Sequence, residues 1–141
     1  MNILSIPFHR FLNIEKSEIG ENFIFRMEER PELLNHLGTI HACAQLSLAE
    51  ASAGEFLLDQ FRELKDSVIP VIRKTEVKYS KPANGALDSK ASYTMGNQEE
   101  YMNELVSKGR CIIPVRAELF DSSNSRTLSA VFSWFITKME K

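Results

Sequence analysis

Alternation of apolar and polar positions with a period of two dominates the second half of the chain. It is clearest over residues 110–120 and 127–138, and the DSSNS segment between them is typical of a hairpin turn. Residues 68–81 and 86–95 show the same period, and residues 22–29 show it more briefly. Because successive side chains of a strand point to opposite faces, these five stretches predict strands with one buried face.

A run of small and apolar residues precedes the long strands. From Ala42 to Ala53 it contains no proline and no glycine, alanine dominates, and Glu50 is its one charged residue. Alanine is the strongest helix former, and a helix that is apolar around most of its circumference is usually buried on several sides. We therefore predict a central helix over residues 41–64 and, before it, a helical arm within residues 1–20.

The order of these elements predicts the fold class. Consecutive strands joined by turns favour an antiparallel sheet, and the apolar helix must be covered by that sheet. We therefore predict an α+β fold in which about five strands wrap around one long apolar helix. No internal repeat or linker interrupts the pattern, so a single domain is predicted over residues 1–141.

Composition narrows the class of protein without identifying a function. Hydrophobic residues make up 43% and charged residues 26% of the 141 residues, which is ordinary for a soluble globular protein. The net charge of -2 gives no reason to expect nucleic acid or an anionic membrane as a partner, and no stretch is long enough to span a membrane. Cys43 and Cys111 lie in apolar stretches and are predicted to be reduced core thiols, which indicates a cytoplasmic protein without a metal site.

The spacing of three polar residues around the start of the central helix resembles a known motif. Asn35 is followed six residues later by His41, and Glu50 comes nine residues after His41 within a Leu-Ala-Glu frame. With the strand order, this spacing is similar to that of the hotdog-fold acyl-CoA thioesterases, in the branch related to the phenylacetate-pathway enzymes. An uncharacterised, distant subgroup of that superfamily would also fit. Ala42-Cys43 stands where that branch carries Gly-Gly.

The resemblance implies a site and an assembly. Glu50 would be the base or nucleophile of thioester hydrolysis, partly desolvated by its alanine and leucine neighbours. Asn35 would position water or the thioester with His41 beside it, and the backbone N–H groups of Ala42 and Cys43 would polarise the thioester oxygen. In related proteins the carboxylate and the helix-start groups come from opposite subunits, so the resemblance implies an obligate homodimer or a dimer of dimers.

The implied substrate is an acyl-CoA or an acyl-carrier thioester, with no cofactor beyond the coenzyme A of the substrate. Three basic residues near strand ends could bind its phosphates: Lys81, Lys108 and Arg110. Three large side chains could line an acyl tunnel, although packing in the core is the simpler expectation: Tyr93, Met95 and Trp134.

Each of these assignments has an alternative. Glu50 could be a structural carboxylate, His41 a residue that satisfies a local hydrogen bond at the helix start, and Asn35 a turn residue. Cys43 could be a nucleophile, although a small core residue is the simpler expectation. The whole protein could be a non-catalytic acyl- or CoA-binding dimer. It could also be a dehydratase of the hotdog type, in which His36 would pair with Glu50, although the proline-glycine-rich loop of those enzymes is absent.

Overall fold

The computed structural model describes residues 1–64 and 66–140. In these residues the strands form one antiparallel sheet. The two short N-terminal strands lie at one edge of the sheet, and the third strand in sequence lies at the other. The strands are β1 (Glu15–Lys16), β2 (Phe25–Met27), β3 (Val68–Tyr79), β4 (Leu87–Tyr93), β5 (Arg110–Phe120) and β6 (Arg126–Lys138). Their order across the sheet is β1-β2-β4-β5-β6-β3. The predicted α+β class and antiparallel sheet are confirmed, with a sixth short strand, β1, added to the five predicted.

The described residues form three α-helices beside the sheet: α1 (Pro7–Phe11), α2 (Ala42–Gln60) and α3 (Gln98–Lys108). The central helix α2 is four residues shorter at its C-terminal end than the predicted 41–64, because Phe61 ends it and a 3-10 turn over Arg62–Leu64 follows. The predicted N-terminal helical arm consists of two short pieces, a 3-10 turn over Ile3–Ser5 and then α1.

The sheet wraps around α2. This helix contacts strands β2 to β6, and residues on several of its faces are buried, as its apolar circumference predicted. On β5, and on β6 from Ala130 to Thr137, buried positions alternate with more exposed ones, so Ile113, Val115, Phe132 and Trp134 pack toward the helix. Burial of these alternating apolar positions against α2 forms the hydrophobic core of the described residues.

The two cysteines differ from each other. Cys111 is a buried core thiol, and burial raises its pKa to about 11, so this thiol stays protonated and unreactive. The prediction that Cys43 is also a core thiol is wrong, because Cys43 is exposed. It lies in the first turn of α2, in which the next two residues, Ala44 and Gln45, are buried.

In the described part of the chain, no helix combines the length and the hydropathy that a membrane crossing requires.

Candidate functional site

The N-terminal arm lies against the middle of α2 and brings a histidine to Glu50. His9 on α1 is only 4% exposed. Its Nδ1 lies 2.8 Å from the carbonyl oxygen of Ile3, and its Nε2 lies 3.3 Å from Oε2 of Glu50. The charge in the middle of the apolar helix therefore has a partner from a segment 41 residues away in the chain.

The contacts of His9 determine where its protons lie. A backbone carbonyl only accepts hydrogen bonds, so Nδ1 carries a proton and donates it to Ile3. A hydrogen bond between Nε2 and Glu50 then requires one further proton, held either by the imidazole ring or by the carboxyl group. His9 and Glu50 therefore form a proton-sharing pair, and the side chain of Glu50 remains 36% exposed beside it.

An apolar cavity of about 130 Å³ opens next to this pair. Its wall is formed mainly by the arm, by α2 and by β6, through Ile3, Ile6, Ala51, Gly54, Leu58 and Trp134. The indole Nε1 of Trp134 is buried and has no hydrogen-bond partner among the described residues. Of the three residues considered for an acyl tunnel, Trp134 lines this cavity, whereas Tyr93 and Met95 lie outside its lining.

Asn35 organises the loop that precedes α2. Its side-chain oxygen accepts hydrogen bonds from the backbone N–H groups of Leu37 (2.9 Å) and Thr39 (3.1 Å), and its amide nitrogen donates to the Thr39 hydroxyl at 2.9 Å. The loop closes further through a backbone hydrogen bond between Asn35 and Thr39 at 2.8 Å. His36 lies exposed in the same loop. The dehydratase hypothesis pairs Glu50 with His36, but the histidine that contacts Glu50 is His9.

His41 caps the start of α2. Its Nδ1 accepts a hydrogen bond from the backbone N–H of Cys43 at 3.0 Å, which occupies one of the two predicted oxyanion donors within this chain. The N–H of Ala42 is the first of the helix and has no preceding helical turn to bond. Tyr79 on β3 donates its hydroxyl proton to the carbonyl of Ala42 at 3.0 Å, and desolvation raises the pKa of Tyr79, which keeps this proton in place.

Glu50 and the helix-start groups lie in different places on one chain. Glu50 follows His41 by nine residues, which corresponds to about 13 Å along a helix axis. Asn35 and Ala42 line a separate cleft at the helix start, of about 320 Å³, together with Tyr79 and Lys81. The structure therefore brings Asn35, His41, Ala42 and Cys43 together at one end of α2 and leaves Glu50 in its middle.

The three basic residues considered for coenzyme A are also divided between two places. Lys81 lines the cleft at the helix start, where its Nζ lies 2.7 Å from Asp121 Oδ2. Lys108 and Arg110 line another cleft, of about 500 Å³, together with Arg73 and Phe135. The Arg73 guanidinium stacks over the Phe135 ring at 3.7 Å.

Sequence reasoning missed two residues at these sites. No local pattern distinguishes His9 as a buried partner of Glu50, because the contact joins segments far apart in sequence. Arg73 occupies the bulge position between Ile72 and Lys74 of β3, where the register against β6 shifts, and bulges are features that period-two patterns do not reveal. In the described residues no group of three or more His, Cys, Asp or Glu side chains could hold a metal ion.

The architecture of one antiparallel sheet around a central helix is the hotdog fold, as the resemblance predicted. The chain belongs to the family described as Domain of unknown function (DUF4442), whose model matches residues 4–136. No curated protein matches the chain.

Solved structures with the same fold cover almost the whole chain. A protein of unknown function from Pseudomonas aeruginosa, PA5026, described as a probable thioesterase, has a TM-score of 0.78 at 17% identity over 97% of this chain and 91% of its own. The thioesterase HI1161 of Haemophilus influenzae has a TM-score of 0.74 at 17% identity, covering 99% and 88%. The BH2602 protein of Bacillus halodurans, solved with CoA, has a TM-score of 0.71 at 20% identity, covering 94% and 76%. At these identities the similarity establishes the fold.

Proposed function

We propose that this protein hydrolyses acyl-CoA thioesters, with Glu50 as the general base or nucleophile. The observation that carries the proposal is the position of the Glu50 carboxylate at an apolar cavity, partly exposed and paired with a buried histidine. An acyl group in the cavity would place its thioester carbonyl near this carboxylate. Perturbed or specifically paired titratable groups beside an apolar pocket are typical of active sites.

In the base pathway, Glu50 takes a proton from water as the water oxygen bonds to the thioester carbon. The C–S bond then breaks, the coenzyme A sulfur receives the proton, and the acyl group leaves as a carboxylic acid. As a nucleophile, the Glu50 carboxylate would instead attack the thioester carbon and break the C–S bond, and the released coenzyme A thiolate would take a proton from solvent; water would then hydrolyse the acyl anhydride to the carboxylic acid and free Glu50. In both pathways negative charge develops on the carbonyl oxygen, which needs a nearby N–H donor.

The helix start of a second copy is the proposed source of this donor. Within one chain Ala42 and Cys43 precede Glu50 by eight and seven residues, which corresponds to about 12 Å and about 10.5 Å of helix, too far for both to act on one carbonyl group. The Ala42 N–H is the main donor in this proposal, since the Cys43 N–H already bonds His41. The proposed active assembly is therefore at least a homodimer with two shared sites.

The sheet offers an edge for such an assembly. Among the described residues strand β3 pairs with β6 alone, so its other edge is open over twelve residues. Ile69, Val71, Val77 and Tyr79 on this strand are between 38% and 49% exposed. A long, partly apolar edge strand is a surface on which a second copy can pair.

Coenzyme A is the proposed thiol of the substrate. One structural relative was solved with CoA, and this chain carries Arg73, Lys108 and Arg110 around one cleft. Guanidinium and ammonium groups are suited to phosphate oxygens. Lys81 lies at the cleft beside the start of α2 and would contact the substrate there.

The test is a thiol-release assay on a series of acyl-CoA esters, with Glu50→Gln as the variant. We expect hydrolysis by the wild type and a loss of about 10²- to 10⁴-fold in kcat for Glu50→Gln. Glu55→Gln, five residues further along α2 and outside the cavity lining, is the matched control and should retain activity. Equal losses in both variants, or full turnover by Glu50→Gln, would overturn the assignment of Glu50.

A non-catalytic acyl- or CoA-binding protein is the second candidate. It is favoured by the engagement of Glu50 with His9 and of the Cys43 N–H with His41, because each of these two candidate catalytic groups already has a partner within one chain. This function would give no thiol release with any ester, while acyl-CoA would still raise the melting temperature.

A further inference from the structure

The cavity beside Glu50 is built by the N-terminal arm, a segment outside the motif that carries the family resemblance. Ile3 and Ile6 of the arm face Ala51, Gly54 and Leu58 of α2 across it. Removal of the arm would leave this part of α2 open to solvent. The arm is therefore a wall of the pocket.

His9 fixes the position of this wall. Its imidazole is buried between the Ile3 carbonyl on the arm and the Glu50 carboxylate on α2, and it bonds to both. A polar side chain buried in this way holds the two segments in one geometry, because separation would leave its nitrogens without partners. The wall of the cavity and the candidate base are thus joined through one residue.

We propose that this cavity holds the acyl group of the substrate and that the arm limits this group to about four to six carbon atoms. The inference deepens the proposed thioesterase function and rests on it. The size follows from the volume: an apolar cavity of about 150 Å³ holds one benzene molecule, which has six carbons. The cavity here measures about 130 Å³.

One further observation supports a ligand at this place. Gly54 lies inside a helix, where glycine is unfavourable by about 1 kcal/mol relative to alanine. A Cβ at this position would lie 3.4 Å from Ile3 Cδ1 and 3.5 Å from Trp134 Cη2, so glycine keeps open a space that alanine could occupy without a clash.

The first experiment measures kcat/KM for acetyl-, butyryl-, hexanoyl-, octanoyl- and lauroyl-CoA. We expect a maximum at butyryl- or hexanoyl-CoA and a fall of at least about tenfold at octanoyl-CoA, since a methylene that does not fit a pocket costs about that much. A profile that is flat or that rises to lauroyl-CoA would overturn the size limit and leave the proposed hydrolysis intact.

Variants of the wall test whether this cavity sets the limit. Leu58→Ala should enlarge the pocket and move the maximum toward octanoyl-CoA, whereas Gly54→Ala should fill it and move the maximum toward acetyl-CoA. Leu57→Ala is the matched control, because Leu57 is the adjacent buried leucine of α2 and does not line the cavity. A shift with Leu57→Ala equal to that with Leu58→Ala would show that general loosening of the helix sets the profile, and would contradict the proposal.

A binding measurement separates the failure of this inference from the failure of the proposed function. If no ester is hydrolysed, hydrolysis fails, and the pocket is tested by the rise in melting temperature with hexanoyl-CoA relative to free CoA. An additional rise that Gly54→Ala removes and Leu57→Ala retains supports an acyl pocket in a non-catalytic protein. An equal rise with both ligands, or no rise, overturns it.

Discussion

The start and the middle of α2 differ in how completely one chain satisfies their polar groups. At the start, Asn35 bonds two backbone N–H groups and the Thr39 hydroxyl, and His41 bonds the Cys43 N–H. In the middle, Glu50 has a single contact at 3.3 Å and remains 36% exposed. The helix start is therefore organised as a scaffold, whereas Glu50 keeps free acceptor capacity for another molecule.

This difference separates two kinds of contribution to the candidate site. Groups that are fully bonded within the fold contribute stability and position, and their loss should lower the free energy of unfolding. A carboxylate with free acceptor positions can act on a substrate or a water molecule, and its loss should lower activity more than stability. The following predictions test that division, from the largest expected effect to the smallest.

The strongest test mixes Glu50→Gln with Asn35→Ala, a variant expected to be inactive because the loss of Asn35 would displace the loop that positions the Ala42 N–H. In a shared-site homodimer, each mixed dimer has one site with both native groups and one site with neither. Random mixing makes half of the dimers mixed, so activity should return to about a quarter of the wild-type value. Subunits are exchanged by mild denaturation and refolding, and thiol release is measured before and after.

Two controls accompany this experiment. Each variant exchanged with itself should gain nothing, and size-exclusion chromatography with light scattering should give the mass of a dimer or a larger assembly. Mixed samples that stay as inactive as their parents would place Glu50 and Asn35 outside a common site.

The second prediction concerns stability at the helix start. Asn35→Ala should lower the free energy of unfolding by about 2 kcal/mol, because it removes bonds to Leu37 and Thr39 that net roughly 1 kcal/mol each. His36→Ala at the exposed neighbouring position should change it by less than about 0.5 kcal/mol. Urea denaturation provides both values. Similar small changes in the two variants would mean that the loop holds its shape without Asn35.

The same contrast explains which features could be predicted from sequence. The regular alternation over residues 110–120 and 127–138 predicted β5 and β6 to within one residue, because each strand has one face on the core and one outside. The central helix was predicted from its alanine content, with an error confined to its C-terminal end. These elements depend on local patterns that repeat over many residues.

The N-terminal arm could not be predicted in the same way. Phe8 and Phe11 have helical spacing, yet they are 55% and 68% exposed, while His9 between them is buried. In a five-residue helix, propensity and periodicity are weak, and a contact with Glu50 decides which face is buried. For Cys43, residue type favoured the core, but Cys43 is exposed while Ala44 and Gln45 beside it are buried, so its face of the helix decides its environment.

The residues of the candidate site could be proposed from sequence, whereas their contacts could not. The spacing of Asn35, His41 and Glu50 directed attention to one segment of the chain. It could not reveal that His9 closes on Glu50, because one sequence without its fold gives no distance between residues 41 positions apart.

The third prediction concerns the helix cap. His41→Ala should lower the free energy of unfolding by about 1 kcal/mol, because the Cys43 N–H loses its acceptor. His41→Asn should restore most of this loss, since asparagine is among the best N-cap residues. Urea denaturation measures stability, and thiol release measures activity for the same samples. If His41→Asn is stable but inactive, His41 has a chemical role beyond its cap.

The smallest effect is expected from the ion pair that holds Lys81 near the helix start. The Lys81 ammonium 2.7 Å away, helped by the backbone N–H groups of Ser125 and Ser123, lowers the pKa of Asp121. A carboxylate whose pKa is lower in the folded state stabilises the fold above its unfolded pKa, and this contribution disappears as the pH falls through the folded pKa. The melting temperature of the wild type should therefore exceed that of Asp121→Asn at neutral pH, and the difference should shrink once the pH falls below about 4.

Asp59→Asn is the control for this measurement. Asp59 also forms an ion pair, with Arg62, but the Asp59 side chain is 53% exposed. An exposed pair contributes little, so Asp59→Asn should follow the wild type at every pH. A deficit in Asp121→Asn that persists unchanged in acid would contradict the charge contribution, because asparagine and protonated aspartic acid have nearly the same shape and are both neutral. A deficit that shrinks in acid would mean that the ion pair between Lys81 and Asp121 stabilises the fold. Lys81 would then belong with Asn35 and His41, whose side chains are already bonded within one chain.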